Sequence, residues 1–219
     1  DGYLFKLDND GNILFRQREA SEIMCITKDS NGDLWMGVRN LGVLRINPDN
    51  GRRTSIDMLK GKNVTDIVEN GNRTLFLSVS GEGIWKYSLR TGQCSKLTSS
   101  NTGSMQLLTN TYINKMFNDS KERLWIGHYL GISCYDTQAE RFINVEPDTL
   151  LKTSVCYALT ETRDGKILIG TNNGLYQWDG SDGKYTRYTT NDGLSSDMIC
   201  GGGEDLDGNI WCSTFRGIN

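Results

Sequence analysis

The residues best suited to bind a ligand lie in five short segments, each beside a glycine and each at the same place in a repeating pattern. A sugar site needs an aromatic ring for the C–H face of the sugar and planar amides or guanidinium groups for its hydroxyls. The candidate ligand-binding residues of these segments are Arg39, Asn40, His128, Tyr129, Asn172, Asn173, Phe215 and Arg216. Asn and Arg are also ordinary turn and surface residues, so the set as a whole carries this prediction.

Residues suited to catalysis are few. The single histidine, His128, rules out a multi-histidine metal centre, and any Ser-His-Asp triad would depend on it alone. Carboxylates recur in three segments as Glu69, Glu161 and Glu204, where the other two segments have Lys28 and Asn118. A buried carboxylate pair could act as acid and base, but the place of these residues beside a hairpin turn favours a solvated rim. We therefore predict no catalytic residue, no metal site and no cofactor.

A repeat of 41 to 49 residues positions all these groups. Five segments align on one central apolar residue, which we call the anchor: Trp35, Phe76, Trp125, Leu168 and Trp211. Two residues after the anchor comes a small residue: Gly37, Ser78, Gly127, Gly170 or Ser213. A further glycine follows six or seven residues after each anchor, where the chain must turn.

Each repeat predicts four short antiparallel strands. An inner strand precedes an Asp, Asn and Gly-rich turn, the anchor lies on the second strand, and two more strands follow the second glycine. With 25 glycines, two prolines and no amphipathic helix, the chain is predicted to be an all-β protein, a β-propeller of about five four-stranded blades. In such a blade the turn between the second and third strands faces the same side as the connection between blades. The candidate ligand-binding residues should therefore share one face.

The repeat also divides the chain. One domain is expected over residues 1–219, with blades at about 21–57, 62–98, 111–146, 153–189, and 197–219 combined with 1–18. The N-terminal strands look like the third and fourth strands of a blade, and the C-terminal segment like the first and second. They could close a ring of five blades, or the chain could be part of a longer array. The long connection at 98–112, with Met105, Leu107 and Leu108, could be a lid, a subunit contact or a tolerated insertion.

Charge and cysteine content narrow the function classes. The 24 Lys and Arg are dispersed among 27 Asp and Glu, giving a net charge of −3, and no basic patch indicates nucleic-acid binding. No apolar run is long enough to span a membrane. The six cysteines show neither CxxC spacing nor a small disulfide framework. Cys156 and Cys212 replace aliphatic residues of other repeats and are predicted to be buried free thiols.

Two segments resemble a known family closely. DGLSSDMI at 192–199 leads to EDLDGNIW at 204–211, and DSNGDLWMG stands at 29–37. They are similar to two-component regulator propeller repeats, found in the periplasmic sensors of hybrid two-component systems of polysaccharide-degrading bacteria. The resemblance covers the whole chain, and the repeat with Phe76 and Ser78 departs most from the pattern.

The resemblance implies a periplasmic ligand-sensing module of an inner-membrane protein. Such a module would recognise an oligosaccharide or other small ligand and regulate polysaccharide-utilisation genes. Histidine kinase activity would belong to other parts of the full-length protein. Membrane attachment would come only through segments absent from this chain. A second interpretation is a scaffold for protein interaction or homodimerisation. A propeller lyase or glycosidase is the third, and it lacks a convincing site.

Overall fold

A computed structural model describes residues 2–98, 112–145, 149–180 and 184–219. Its elements are antiparallel β-strands joined by tight turns, with single turns of 3-10 helix at Asp57–Leu59, Leu151–Thr153 and Thr190–Asp192. The predicted all-β architecture of four-stranded units is confirmed. The residues Met105, Leu107 and Leu108 of the long connection lie outside the described residues.

Within the described residues the strands form six sheets. An N-terminal hairpin comprises β1 (Tyr3–Leu7) and β2 (Ile13–Arg18). Blade 1 comprises β3 (Ile23–Lys28), β4 (Leu34–Val38), β5 (Gly42–Ile46) and β6 (Arg53–Ser55). Blade 2 comprises β7 (Val64–Glu69), β8 (Thr74–Val79), β9 (Gly83–Ser88) and β10 (Cys94–Lys96).

The remaining blades continue the series. Blade 3 comprises β11 (Ile113–Asn118), β12 (Arg123–His128), β13 (Gly131–Asp136) and β14 (Arg141–Ile143). Blade 4 comprises β15 (Cys156–Glu161), β16 (Ile167–Thr171), β17 (Gly174–Trp178) and β18 (Tyr185–Tyr188). Blade 5 has three strands, β19 (Ile199–Glu204), β20 (Ile210–Thr214) and β21 (Gly217–Ile218).

The first strand of each blade is its inner strand, and the inner strands of successive blades pack side by side. A β-bulge interrupts the pairing of the inner strand with the second strand near the start of all five. The bulge increases the local twist of the strand. In blades 2 and 3 the side chains of the bulged residues, Thr65 and Asn114, donate hydrogen bonds to carbonyls of the next inner strand, those of Ile113 and Cys156.

The anchor is held by the hairpin turn before it. When the anchor is Trp, the residue six positions earlier is Asp, and the indole Nε1 donates to that carboxylate. The pairs are Trp35 with Asp29 at 2.8 Å, Trp125 with Asp119 at 2.8 Å, and Trp211 with Asp205 at 2.6 Å. Where the anchor is Phe76 or Leu168, which have no N–H, the earlier residue is Asn70 or Thr162. The repeat therefore couples two positions: a Trp anchor occurs together with an Asp in the turn before it, and the Asp accepts the indole N–H.

The hydrophobic cores lie between neighbouring blades. Blades 1 and 2 share Trp35 and Leu77, blades 2 and 3 share Phe76 and Tyr135, and blades 3 and 4 share Trp125 and Tyr176. Each blade is thus stabilised by the next one, as expected for a repeat whose single unit cannot bury its own faces.

The recurring glutamates are part of these interblade contacts. The Ser30 backbone N–H and hydroxyl each donate to Glu69 at 2.6 Å, and Ser120 makes the same two bonds to Glu161 at 2.8 and 2.7 Å. The backbone N–H of Arg163 donates to Glu204 at 2.6 Å. Each of these carboxylates therefore joins the first hairpin turn of one blade to the inner strand of the next blade. Their sequence position did not predict this role.

The two ends of the chain do not join within the described residues. The N-terminal hairpin forms a sheet of its own, and Leu4 packs against the core of blade 1, where the carboxylate of Glu19 pairs with Arg53 at 2.8 Å. Blade 5 consequently keeps an open face, and the Trp211 side chain is 51% exposed, against 1% for Trp35. The closed ring of five blades is not observed, because within the described residues no strand of the N-terminal hairpin pairs with a strand of blade 5.

The burial of two cysteines agrees with the sequence pattern. Cys156 and Cys212 are buried and form no disulfide, as predicted from their positions in the repeat. Across the described ranges, no helix has both the length and the apolar character needed to cross a membrane.

Candidate functional site

The predicted ligand-binding residues all follow the second strand of a blade. We call the surface formed by the turns at 39–41, 80–82, 128–130, 172–173 and 215–216 the turn face. Because the blades are consecutive and identically connected, these turns lie on the same side of the array. Arg39, Asn40, Tyr129, Phe215 and Arg216 are exposed there, Asn172 and Asn173 are half-buried, and His128 is buried.

Several polar groups of the turn face bind the protein itself. Arg39 Nε pairs with Glu22 Oε2 at 2.8 Å. The backbone N–H of Val155 donates to Asn172 Oδ1 at 2.8 Å, and Asn173 Nδ2 donates to Ser154 Oγ at 2.9 Å. The two asparagines therefore hold the connection between blades 3 and 4. Such bonds fix the geometry of the turn and reduce the number of groups left for a ligand.

Exposed aromatic rings distinguish the middle of the turn face. Tyr129 is 52% exposed and stands edge-on to Tyr112, which is 56% exposed, with ring centroids 6.2 Å apart. Tyr112 lies directly before β11, at the end of the long connection. Sequence reasoning placed it there but did not count it among the candidate residues. The signal available was an aromatic residue immediately before an inner strand. Phe215 is a third exposed ring, on blade 5.

His128 lies behind this surface, with none of its side chain exposed. The backbone N–H of Leu130 donates to its Nδ1 at 3.2 Å, which leaves the proton on Nε2, 3.1 Å from Ser133 Oγ. Burial lowers the pKa of His128 to about 4. The neutral ring thus organises the turn that presents Tyr129, and it does not face solvent.

His128 should make stability depend on pH. An exposed histidine in the unfolded chain has a pKa near 6.5, so protons bind the unfolded chain preferentially as the pH falls from 6.5 towards 4. The stabilisation that depends on a neutral His128 is fully present above pH 6.5. It is lost as the pH falls from 6.5 towards 4. Between pH 7 and pH 5 the wild type should lose ~2 kcal/mol more unfolding free energy than His128→Gln. Urea unfolding of both proteins at the two pH values checks this, and parallel losses would contradict it.

A cleft lies at the other end of the inner strands. It has a volume of about 610 Å³ and is lined by residues 26–30, 66–69 and 115–118, from blades 1, 2 and 3. We call it the inner cleft. Its lining residues lie on the second halves of β3, β7 and β11 and in the turn after β3, so it is near the first hairpin turns, away from the turn face. The sequence reasoning predicted no site here.

A buried carboxylate forms one wall of the inner cleft. Asp66 Oδ2 accepts the backbone N–H of Met116 at 2.7 Å, and Lys115 Nζ lies 3.1 Å from the same oxygen. Burial raises the pKa of Asp66, while Lys115 and the hydrogen bonds oppose that rise. The pair joins the inner strands of blades 2 and 3 and presents a half-exposed ammonium to the cleft. No group of three or more His, Cys, Asp or Glu able to hold a metal ion occurs in the part of the chain that the structure describes.

One segment of the chain matches a known protein family. Residues 19–40 match the family described as the two component regulator propeller, and this match contains the segment 29–37. The other four repeats of the chain carry an apolar anchor, a small residue and a second glycine at the corresponding positions.

Solved structures share the fold of this chain. The extracellular domain of a putative hybrid two component system from B. thetaiotaomicron is 18% identical, with a TM-score of 0.73, and the match covers 98% of this chain and 28% of that one. PorZ, a surface component of the type-IX secretion system of Porphyromonas gingivalis, is 15% identical, with a TM-score of 0.76, covering 95% and 34%. Virginiamycin B lyase from Staphylococcus aureus is 15% identical, with a TM-score of 0.74, covering 98% and 71%.

These likenesses concern the fold. The chain spans 28% and 34% of the length of the first two proteins. An extracellular domain of a putative hybrid two component system, a secretion component and a lyase share one architecture, so the architecture does not decide the function. Among curated proteins, none matches this chain.

Proposed function

We propose that this chain is the ligand-sensing propeller of a hybrid two-component signalling protein, located outside the cytoplasmic membrane, and that its turn face binds an oligosaccharide. The regulator propeller repeat at 19–40 and the likeness to extracellular domains of putative hybrid two-component systems support the class of module. The kinase, the membrane attachment and the regulation of polysaccharide-utilisation genes would belong to the whole protein. A homodimer would be one means of passing the signal.

The observation that carries the ligand proposal is the exposed pair of Tyr129 and Tyr112. Two half-exposed rings at an angle of 77° offer one flat face and one edge to a sugar. The turn of the neighbouring blade 4 supplies Asn172 and Asn173, and the turn of blade 1, two blades away on the other side, supplies Arg39 and Asn40. Phe215 and Arg216 extend the surface to blade 5. Aromatic rings fixed in place commonly contribute the largest share of binding energy at such surfaces.

Thermal unfolding against a panel of plant, host and microbial oligosaccharides tests the proposal. A ligand that binds only the folded chain must raise Tm. Tyr129→Ala should weaken binding of the active saccharide by roughly tenfold and remove most of the Tm shift. The matched control is Phe15→Ala, which removes a ring of similar exposure from the N-terminal hairpin. A panel without any shift, or a Tyr129→Ala protein that keeps the full shift, would contradict an oligosaccharide site here.

A further inference from the structure

One position of the repeat carries a different side chain in each blade. Eleven residues before the anchor, at the β-bulge of the inner strand, stand Met24, Thr65, Asn114, Tyr157 and Cys200. In blades 2 and 3 this side chain donates a hydrogen bond to the next inner strand. In blade 4 the Tyr157 side chain makes no hydrogen bond and no ring contact within the described residues, and it is 37% exposed. Tyr157 therefore lacks the interblade bond that its position makes in blades 2 and 3.

Tyr157 lies at the end of its strand that belongs to the turn face. Its neighbour Cys156 pairs with Thr171, the last residue of β16, directly before the turn at 172–173. Tyr112 stands at the corresponding end of blade 3, directly before β11. The inner strands of blades 3 and 4 pack side by side, so the Tyr157 ring extends the aromatic surface of the turn face from blade 3 to blade 4.

A segment at 154–156 joins the turn of blade 3 to the inner strand of blade 4. Its first carbonyl accepts the backbone N–H of Gly131, at the end of that turn, at 2.7 Å. Its middle N–H donates to Asn172 Oδ1 at 2.8 Å, and its last carbonyl accepts Asn114 Nδ2 at 3.0 Å. Because every residue of the segment is bonded, the backbone positions of the turn and of Tyr157 are fixed relative to each other. Side chains on a fixed backbone lose less entropy when they bind.

The Tyr157 ring and the pair of Tyr112 and Tyr129 form two separate aromatic surfaces. Ser154 has an extended backbone, with φ −88° and ψ 145°, and β15 begins at Cys156. Three extended residues at ~3.3 Å each place the Cα atoms of Ser154 and Tyr157 roughly 10 Å apart. Since Ser154 is bonded to the turn that carries Tyr129, a single pyranose ring is too short to cover both surfaces.

Asn114 supplies a polar group between the two surfaces. It lies two residues after Tyr112, and its Nδ2 is bonded to the residue before Tyr157. Its Oδ1 accepts no hydrogen bond in the part of the chain that the structure describes, and this oxygen is not fully buried. It is therefore an acceptor that a sugar hydroxyl can reach. The phenol rings and the amide carry no charge, which suits a neutral sugar.

We propose that Tyr157 is a second aromatic subsite of the turn face, and that the turn face takes a linear oligosaccharide of at least two pyranose units in preference to a single sugar. One unit stacks its C–H face on Tyr129 beside Tyr112, another stacks on Tyr157, and a hydroxyl between them donates to Asn114 Oδ1. Tyrosine rings suit this role, because they offer a large rigid contact area at a low entropy cost. This inference rests on the proposed function, since it extends the same site.

Isothermal titration of the whole chain with cello- and xylo-oligosaccharides, from the monosaccharide to the pentasaccharide, tests the length requirement. These sugars are neutral, and their equatorial substituents leave flat C–H faces for stacking. Two linked subsites act together, so the pentasaccharide of at least one series should bind at least about tenfold more tightly than its monosaccharide. Affinity that does not change with length, or no binding by either series, would overturn the proposal.

Tyr157→Ala is the informative variant, because the exposed ring holds no hydrogen-bond partner that its removal would strand. It should weaken pentasaccharide binding about tenfold and leave monosaccharide binding and thermal unfolding unchanged. Tyr157→Phe keeps the ring and should retain most of the affinity. Tyr188→Ala is the matched control, since Tyr188 is also 37% exposed but lies on β18, three strands away in the same blade. The subsite is ruled out if Tyr157→Ala binds the pentasaccharide as the wild type does, or if Tyr188→Ala loses as much affinity.

Tyr129→Ala separates this inference from the proposed sensor function. It should weaken binding of every sugar length, because it removes the first aromatic surface. If it does so while Tyr157→Ala changes nothing, the turn face binds sugar at the Tyr129 pair alone, so the second subsite is wrong and the sensor proposal stands. If the chain binds a sugar that neither variant affects, the sugar binds elsewhere and both proposals are wrong.

Discussion

Replacing Asp119 by Ala is expected to lower the free energy of unfolding by about 3–5 kcal/mol, the usual loss when one partner of a buried ion pair is removed. The Asp119 carboxylate is fully buried and lies 2.6 Å from Arg123 Nε and 2.8 Å from the indole Nε1 of Trp125. It also accepts the backbone N–H groups of Lys121 and Arg123. Its removal leaves a buried guanidinium and a buried indole N–H without their acceptor.

The chain contains a matched control for this prediction. Asp205 makes the same bond to Trp211 and the same backbone bonds in its turn, but within the described residues no further blade packs on blade 5, and Asp205 is only half-buried. Water can replace the carboxylate there, so Asp205→Ala should cost much less. Urea unfolding of both variants measures the difference. Equal losses of unfolding free energy would contradict the prediction that burial by the next blade strengthens these hydrogen bonds. Asp119→Asn removes the charge and keeps one side-chain oxygen as an acceptor, so it separates the two contributions.

Replacing Gly37 by Ala is expected to cost about 3 kcal/mol, the upper end of the range for overfilled cores. A Cβ at this position would collide with the carbonyl oxygen of Val64 on β7 and would stand 2.8 Å from Cys25 Sγ. A backbone carbonyl in a paired strand cannot rotate away, so blade 2 must move relative to blade 1. The shared core around Trp35 would then open.

Gly203→Ala is the control for the glycine prediction. Gly203 is also a strand glycine, on β19, and a Cβ there would meet no atom within 4 Å. The substitution should be neutral or slightly stabilising, since alanine restricts the unfolded chain more than glycine does. Thermal and urea unfolding compare the two variants. A Gly37→Ala protein as stable as the wild type would mean that the blades separate at little cost, against the packing described above.

The candidate site was predicted less completely than the fold. Sequence pattern located the turns that carry Arg39, Tyr129 and Phe215, because turn chemistry is local. It did not reveal that His128 points inward or that Tyr112 stands beside Tyr129, since both depend on how a connection returns to the next blade. The inner cleft was also not foreseen. Lys28, Asp66 and Asn118 lie 38 or more residues apart, and only the packing of three inner strands brings them together.

The sequence by itself determined the blade. Anchor, turn, small residue and second glycine recur at nearly fixed spacing, and each is a local requirement of hairpin geometry or of one side chain bonding to its own turn. Only the tertiary structure decided what each copy does. Trp125 is buried and Trp211 is half-exposed, although both stand in the same motif, because a blade buries its face only against a neighbour. For the same reason the recurring glutamates bond to the hairpin turn of the preceding blade, and the N-terminal hairpin packs on blade 1.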